Sequence, residues 1–301
     1  MLQSLSSSSL HGVVLVLLAA VLWGTTGTAH SLAPDGLSPY WVGALRLAMA
    51  GAFFVGLGCW LQRRQRAGHG PLDWPRTLWC AVCMVTYNLA FFAGLQNTGV
   101  GLGTAIAIGS SPVWAGLLQA VVLRRLPRGL WWLGTAIGVL GGLCMGLGQG
   151  AAQQPTVPGL LLCLLGGLAY GAYAIASKPL ILHSGVTRVN SAVFLTAALL
   201  ALPLAALLGG MPSTNARSWA VVAYLGIVAT GVAYLLFSAG LRHISAATSV
   251  ALSKLEPVTA FALSILVVGE SPSVLALGGL MLVLLGLWLV VFSEMRAPMH
   301  G

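Results

Sequence analysis

Long apolar stretches alternate with short polar segments along the whole chain, and this pattern predicts membrane-spanning helices. A helix needs about 20 mostly apolar residues to cross the hydrocarbon core of a bilayer. Ten stretches, numbered here span 1 to span 10 in chain order, satisfy this requirement: residues 12–33, 40–61, 76–95, 101–123, 130–149, 157–177, 189–209, 217–239, 246–268 and 272–293. The stretches are too long for barrel strands and lack their period-two alternation. We therefore predict an all-α polytopic membrane protein with ten transmembrane helices.

The composition excludes most other classes of protein. Of the 301 residues, 58% are hydrophobic and only 6% are charged, whereas an average soluble domain carries about 25% charged residues. High hydrophobicity also excludes a disordered chain. The net charge of +9 does not indicate a nucleic-acid partner, because the basic residues lie in loops and do not alternate with aromatic residues along one face. The expected partner is the lipid bilayer.

The basic residues orient the chain in the membrane. If the N-terminus is cytoplasmic, one basic residue, Arg217, lies in an external loop, and eleven lie in the cytoplasmic loops and the C-terminal tail. These eleven are Arg63, Arg64, Arg66, Arg76, Arg124, Arg125, Arg128, Lys178, Arg188, Arg242 and Arg296. Cytoplasmic loops of membrane proteins collect Lys and Arg. We therefore predict a multi-pass protein of the bacterial inner membrane with both termini in the cytoplasm.

The two halves of the chain resemble each other at a nearly constant offset. Ala93-Gly94-Leu95 matches Ala239-Gly240-Leu241, Pro112 matches Pro257 and Pro127 matches Pro272. We therefore predict two repeats, residues 1–152 with spans 1–5 and residues 153–301 with spans 6–10. Because five is an odd number, the second repeat must enter the membrane from the opposite side. Inverted repeats are typical of secondary transporters, whose substrate site lies near the midplane between the halves.

Three ionisable residues lie within the predicted spans: Arg46 in span 2, and Lys254 and Glu256 in span 9. Such residues are costly in a membrane and are candidates for function. Lys254 and Glu256 are about 200° apart on a helix and cannot share one face. In one interpretation Lys254 or Arg46 receives a substrate carboxylate, while Glu256 takes a proton or an ammonium group. In the other, a structural ion pair such as Arg46–Glu256 locks the two halves, or Arg46 extends to the outer interface.

Pro112 and Pro257 are predicted to interrupt spans 4 and 9 at matching depth, because proline frees a backbone carbonyl about one turn earlier. Gly109-Ser110-Ser111 precedes the first proline and Lys254-Leu255-Glu256 precedes the second. Ser110 and Ser111 would contribute hydroxyls to a site between the halves, where the second repeat contributes charge. The alternative is a kink that serves packing alone.

Further candidates are the aromatic and amide side chains within spans, which could stack on or hydrogen-bond an organic solute or simply pack. They are Trp23, Tyr87, Asn88, Tyr170, Tyr173 and Tyr234. Cys80 and Cys83 have the spacing of a metal-binding pair, but no second pair completes a site, so we expect no metal and no cofactor. Span 5 carries Gly134, Gly138, Gly142 and Gly146. This stripe predicts close helix packing, within a monomer or across a homodimer.

Several of these segments resemble the drug/metabolite transporter superfamily, and specifically its EamA family. They are Ala20-Val21-Leu22-Trp23-Gly24, Leu45-Arg46-Leu47-Ala48, Leu255-Glu256-Pro257-Val258, and Val268-Gly269-Glu270 followed by Pro272 and Gly278. The resemblance implies ten helices, both termini inside, and movement of small metabolites, often amino acids and commonly as efflux. The first repeat has Arg124-Arg125 where the second has Gly269-Glu270, so the family's acidic residue is missing there.

The favoured function is therefore a secondary transporter, not an enzyme, which moves small organic metabolites by alternating access with protons as a candidate coupling ion. One alternative is an acyltransferase-like membrane enzyme, because His30 and Asp35 have the spacing of a base and the carboxylate that orients it. No companion substrate-binding motif accompanies them. A channel is the other alternative, but it calls for polar rings or a filter loop, which the sequence lacks.

Overall fold

The protein is a bundle of ten long apolar helices, as the hydrophobic pattern predicts. The computed structural model describes residues 7–31, 38–63, 70–148, 155–210, 216–269 and 271–296. All regular elements within these ranges are helical, and ten are long and apolar enough to cross a membrane. The predicted repeat boundary at residues 152 and 153 lies outside the described residues.

Seven of the spans each contain a single α-helix, and span 1 contains two. The helices are Ser7–Gly24 and Thr26–Ser31 in span 1, Pro39–Arg63 in span 2, Trp74–Thr98 in span 3, Val100–Val122 in span 4, Gly129–Gly148 in span 5, Val157–Ser184 in span 6, Val186–Leu208 in span 7 and Val274–Met295 in span 10. Thr156 and Ser273 cap spans 6 and 10, each accepting a backbone N–H with its side chain. Such caps satisfy donors that a helix start leaves unpaired.

Spans 8 and 9 are less regular than the other spans. Span 8 consists of the α-helices Ala216–Ala223 and Ala233–Leu241 on either side of the π-helical segment Tyr224–Val232. Span 9 consists of Ala246–Leu252, Leu255–Leu263 and the π-helical segment Ser264–Val268. Segments of π-helix are rare and are frequently found at functional sites. Both spans that contain a π-helical segment belong to the second repeat.

Span 6 extends seven residues beyond its predicted end at residue 177. The sequence places Lys178 and Pro179 in a loop, but the helix continues through both to Ser184. The Lys178 Nζ donates a hydrogen bond to the carbonyl oxygen of Ile244 at 2.6 Å. The ammonium group therefore has a hydrogen-bond acceptor beside the helix. Pro179 removes a single backbone hydrogen bond, which the helix tolerates.

Two pairs of spans are joined by a single glycine each. Gly99 connects span 3 to span 4 with φ 81°, and Gly185 connects span 6 to span 7 with φ 80°. This left-handed region is open to glycine at little cost, while a side chain would be strained there. The chain therefore reverses direction within one residue at both positions.

The spans pack in pairs that obey the symmetry of an inverted repeat. Span 3 packs along span 6, and the equivalent pair, span 8 and span 1, packs likewise. Span 2 packs against its own equivalent, span 7, and span 5 against span 10. The two repeats thus interlock through contacts between halves, as in transporters built from inverted repeats.

Spans 5 and 10 approach so closely that their backbones touch. A Cβ on Gly134 would lie 2.8 Å from the carbonyl oxygen of Gly286, and a Cβ on Gly141 would lie 2.6 Å from that of Gly279. The equivalent positions are 145 residues apart (279 − 134 and 286 − 141), so one contact occurs twice across the pseudo-two-fold axis. Small residues permit such close packing.

The predicted glycine stripe of span 5 does not act as one face. Gly134 and Gly138 both lie against Gly286 of span 10, but the Cβ position of Gly138 points to Lys254, and that of Gly146 points to the carbonyl oxygen of Gly101. A Cβ on Gly142 would meet nothing within 4 Å. The residues pointing to span 10 are seven apart, because four residues exceed one helical turn and the stripe drifts around the helix.

Candidate functional site

A cavity of about 60 Å³ lies between the two repeats. Side chains from spans 1, 2, 3, 4, 6, 8 and 9 form its walls. The lining residues are Trp23, Thr26, Arg46, Tyr87, Asn88, Phe91, Phe92, Ile108, Tyr170, Tyr234, Ser253 and Glu256. Because both halves contribute, any relative movement of the repeats changes the shape of this cavity.

Seven of the side chains singled out from the sequence meet at this cavity. They are Trp23, Arg46, Tyr87, Asn88, Tyr170, Tyr234 and Glu256. Four others, namely Lys254, Ser110, Ser111 and Tyr173, are absent from the lining. Residues that are 150 or more positions apart in sequence are therefore neighbours here.

The wall of the cavity is largely aromatic. The rings of Trp23 and Tyr234 lie 5.1 Å apart between centroids, those of Trp23 and Tyr170 lie 6.1 Å apart edge to face, and those of Tyr87 and Tyr170 lie 5.4 Å apart. Aromatic pairs at these distances and angles attract each other. The cluster therefore gives the cavity a firm apolar side that joins both repeats.

Arg46 points into the bundle, and its position depends on the π-helical segment of span 8. The Arg46 Nε donates to the Thr230 hydroxyl oxygen at 2.9 Å, and that hydroxyl donates to the carbonyl oxygen of Leu225 at 2.7 Å. Leu225 is five residues before Thr230, which is the spacing of a π-turn. Arg46 lines the cavity and does not extend outward to the membrane interface as one interpretation allows.

Glu256 brings the opposite charge to the same cavity from span 9. Arg46 acts on it electrostatically, but no ion pair within 4.0 Å joins the two in the part of the chain that the structure describes. The Arg46–Glu256 ion pair of one interpretation is therefore not formed. The cavity thus presents a guanidinium and a carboxyl group that are not bonded to each other.

The α-helix of span 9 is interrupted beside the cavity by a tighter turn at Ser253 and Lys254, whose backbone N–H groups donate to carbonyls three residues earlier. Pro257 has no N–H to donate to the Ser253 carbonyl four residues earlier, and the N–H of Glu256 donates to that oxygen at 2.9 Å. The Ser253 hydroxyl is hydrogen-bonded to the Tyr170 hydroxyl at 2.9 Å. The interruption is thereby tied to the aromatic wall.

Span 4 is not interrupted at Pro112, although the sequence predicts it. The helix runs without a break from Val100 to Val122. The hydroxyls of Ser110 and Ser111 donate to the Ala107 carbonyl at 3.2 and 2.7 Å, so they serve the same helical turn. Pro112 removes one backbone hydrogen bond of the helix. The helix is otherwise regular, and the two serine hydroxyls form their hydrogen bonds within it.

Lys254 leaves span 9 on the side away from the cavity. Its side chain is only 3% exposed, and its Nζ donates to the carbonyl oxygen of Thr135 in span 5 at 2.8 Å. A Cβ on Gly138 would lie 3.1 Å from this Nζ, so the glycine provides the room for it. Lys254 and Glu256 therefore point to different sides of span 9, as their separation on a helix predicts.

The remaining candidates have other surroundings. Tyr173 is fully buried and packs edge to face on Tyr234, with 5.9 Å between the ring centroids. Asp35 and the side chain of His30 lie outside the described residues. Cys80 and Cys83 are both buried, and the described residues contain no cluster of three His, Cys, Asp or Glu that could hold a metal ion.

Five lining residues are not among the candidates that the sequence predicts: Thr26, Phe91, Phe92, Ile108 and Ser253. Helical spacing was a usable signal for three of them, because Thr26 follows Trp23 by three residues, Phe91 follows Tyr87 by four and Phe92 follows Asn88 by four. Ser253 precedes Pro257 by four residues, where the freed carbonyl is expected. Ile108 precedes Pro112 by four residues and is the equivalent of Ser253 in the first repeat, so the same signal applies to it.

Comparison with known proteins supports the same architecture. A solved crystal structure superposes with a TM-score of 0.80 at 22% identity, covering 95% of this chain and 99% of that one. This likeness establishes the fold alone. A protein of Streptantibioticus cattleyicolor, named probable terminal-alkyne amino-acid exporter, is 26% identical over 281 residues, which cover 91% of each chain.

Two further matches establish the family. The chain is 35% identical over 275 residues to the uncharacterized transporter YwfM of Bacillus subtilis, covering 91% of this chain and 92% of that protein. Residues 10–147 and 157–292 each match the EamA-like transporter family. The cavity between two inverted five-helix halves, together with these matches, shows that the chain belongs to the EamA-like transporter family.

Proposed function

We propose that this protein is a secondary transporter of the bacterial inner membrane that exports amino acids or closely related zwitterions. The observation that carries the proposal is the cavity between the repeats, where Arg46 and Glu256 present opposite charges that are not paired with each other. A zwitterion supplies one partner for each charge. Its side chain then meets the aromatic wall.

Each group has a defined task in this proposal. Arg46 receives the substrate carboxylate, because a guanidinium offers two parallel donors that match a carboxylate. Glu256 accepts the substrate ammonium group. Trp23, Tyr170 and Tyr234 pack on the apolar part of the solute, and their ring faces also favour a cation.

The size of the cavity supports movement between the repeats. At about 60 Å³ it is smaller than the roughly 300–1,000 Å³ typical of small-molecule sites. The repeats must therefore separate on one side to admit a solute. Alternating access, in which one repeat moves against the other around a central site, provides this opening.

Two further parts of the proposal rest on the sequence and on a relative. The excess of Lys and Arg in one set of loops supports cytoplasmic termini. The name of the Streptantibioticus cattleyicolor relative, probable terminal-alkyne amino-acid exporter, supports outward movement.

Counterflow in proteoliposomes tests the proposal. Vesicles that contain the purified protein are loaded with an unlabelled amino acid, and entry of the labelled compound is followed. We expect saturable counterflow with apolar and aromatic amino acids. Amino alcohols, which lack the carboxylate, and N-acetyl amino acids, which lack the ammonium group, should not compete.

Three results would contradict the proposal: a current that rises linearly with voltage, conversion of the solute to a product, or equal competition by the analogues that lack one charge. Arg46→Gln and Glu256→Gln provide the matched pair of variants. Each should lose recognition of its own end of the zwitterion, so that discrimination against the corresponding analogue disappears along with most of the rate.

A further inference from the structure

Lys254 carries a charge that the proposed solute site does not use, and we infer that its Nζ is the binding site for a coupling proton. The inference deepens the proposed function, because it identifies where the transporter would hold the ion that moves against its solute. In this assignment Glu256 contacts the solute, and Lys254 takes up and releases the proton on the other side of span 9.

The surroundings of Lys254 contain no counter-charge. Span 5 presents the carbonyl oxygen of Thr135 and the hydrogen atoms of Gly138 to the side chain. The Tyr170 hydroxyl of span 6 is engaged by Ser253. Glu256, on span 9 itself, lines the cavity, and no acidic group among the described residues lies within 4.0 Å of the ammonium.

A buried charge without a counter-charge is costly, and a single hydrogen bond to a carbonyl offsets only part of that cost. Lysine can remove the cost by releasing a proton, which arginine cannot do. The neutral amine then has one lone pair that the ammonium lacks. The Thr135 hydroxyl, buried and without a hydrogen-bond partner, is a donor on the same residue that can serve this lone pair.

The proton on Lys254 also determines how firmly the repeats are joined. The ammonium connects span 9 of the second repeat to span 5 of the first, and hydrogen bonds from a charged donor are about twice as strong as neutral ones. Release of one proton to water leaves a neutral amine and a weaker connection. Binding one proton from water on the other side restores the ammonium.

The position of Lys254 links this event to the solute site. Lys254 and Ser253 together form the interruption of span 9, and Ser253 lines the cavity and bonds to Tyr170. A solute that displaces the aromatic wall, or whose ammonium group binds Glu256, therefore moves the backbone from which the Lys254 side chain extends. The cavity also gives water access to the interruption when the repeats separate.

Proteoliposomes with an internal pH-sensitive dye test the assignment. For any amino acid that gives counterflow, wild type should move protons when the solute gradient is applied. Lys254→Gln and Lys254→Arg should retain counterflow within about threefold, because exchange needs no net proton movement, but lose at least about tenfold of the proton signal. Lys178→Gln removes the only other lysine of the chain and should keep the wild-type proton signal.

Solute-driven proton movement of wild-type size in either Lys254 variant would overturn the inference, and so would counterflow without proton movement in wild type. Absence of counterflow with every amino acid would instead contradict the proposed function.

A second measurement does not depend on knowing the solute. Thermal unfolding of wild type and Lys254→Gln is compared from about pH 6 to about pH 9. The difference in Tm should change with pH, because only the wild-type side chain exchanges a proton between folded and unfolded states. A difference that is independent of pH would overturn the inference even if transport cannot be measured.

Discussion

Spans 4 and 9 occupy equivalent places in the two repeats and carry a proline at the same position, yet only span 9 is interrupted. In span 4 the hydroxyls of Ser110 and Ser111 bond to the helix that contains them. In span 9 the residues before Pro257 also bond to other spans: the Ser253 hydroxyl bonds to Tyr170 of span 6 as well as to the Ser249 carbonyl of its own helix, and the Lys254 Nζ bonds to Thr135 of span 5. A proline alone therefore does not decide whether a membrane helix keeps its α-helical hydrogen bonding.

The difference shows how a duplicated fold can divide its tasks. The first repeat retains a regular helix at this position, and the second repeat uses the interruption to direct three side chains to three surroundings. The backbone of Ser253 and Lys254 keeps right-handed helical dihedrals and pairs with carbonyls three residues earlier, so span 9 tightens at this point and does not unwind.

The largest expected effect separates the equivalent residues Glu256 and Ser111. Glu256→Gln should slow counterflow roughly 10–100-fold, because a hydrogen bond to a charged group contributes about 1.5–3 kcal/mol. Ser111→Ala should change the rate less than about threefold. Initial rates of counterflow at equal protein content measure both. Similar losses in the two variants would mean that the repeats contribute equally to the site.

The next effect concerns the glycines that pack against these two spans. A Cβ on Gly24 would lie 2.4 Å from the Cβ of Thr259 and 2.7 Å from the Glu256 carbonyl oxygen in span 9. We expect Gly24→Ala to destabilise the protein by about 2–3 kcal/mol through overpacking, measured by thermal unfolding in detergent.

Gly171 is the matched position, and its added Cβ would lie 3.1 Å from the nearest atom of span 4. Gly171→Ala should therefore cost about 1 kcal/mol or less. If Gly171→Ala lowers the Tm as much as Gly24→Ala, the closer approach of span 1 to the interrupted helix has no energetic consequence.

A smaller effect is expected on span 5, where Gly138 makes room for Lys254. Gly138→Ala brings a Cβ to 3.1 Å from Nζ and should cost about 1 kcal/mol by displacing the side chain. Gly142→Ala, on the same helix with open space around it, should be neutral or stabilising by up to about 1 kcal/mol from helix propensity. Thermal unfolding of the two variants is the measurement, and a reversed order would contradict the observed packing.

The smallest effect is expected at Pro112. Because span 4 is already a continuous helix, Pro112→Ala supplies one backbone donor without moving the neighbouring turns, and stability should change by no more than about 1 kcal/mol. Counterflow should stay within about twofold of wild type. A loss of more than about tenfold would show that this proline matters for movement even where it does not break the helix.

The sequence alone predicts the ten spans because the bilayer fixes the length and composition of a crossing helix. It also selects Arg46, Glu256, Trp23 and Tyr170 as candidate site residues, because charged and aromatic residues are conspicuous in an apolar span. All four line the cavity. The end of span 6 was not predictable, because the hydrogen bond that accommodates Lys178 is to Ile244, in a distant part of the chain.

Other features depend on tertiary contacts that a pattern does not contain. Which side of span 9 Lys254 takes is determined by the space at Gly138. The inward direction of Arg46 depends on Thr230 in a π-helical segment, and periodicity based on an α-helix does not predict such a segment. Span 4 is continuous, and the hydroxyls of Ser110 and Ser111 donate to the Ala107 carbonyl in the same helix. The sequence does not show whether these hydroxyls bond within the helix or point to the cavity.

The contact between spans 5 and 10 has a consequence for biosynthesis. Gly134 and Gly141 meet Gly286 and Gly279, which the ribosome adds about 140 residues later. At the roughly 5–20 residues per second of synthesis, span 5 waits many seconds in the membrane for its partner. During that interval its glycine face is open to other helices and to lipid. Membrane insertases and chaperones that shield this face would therefore determine the yield of folded protein.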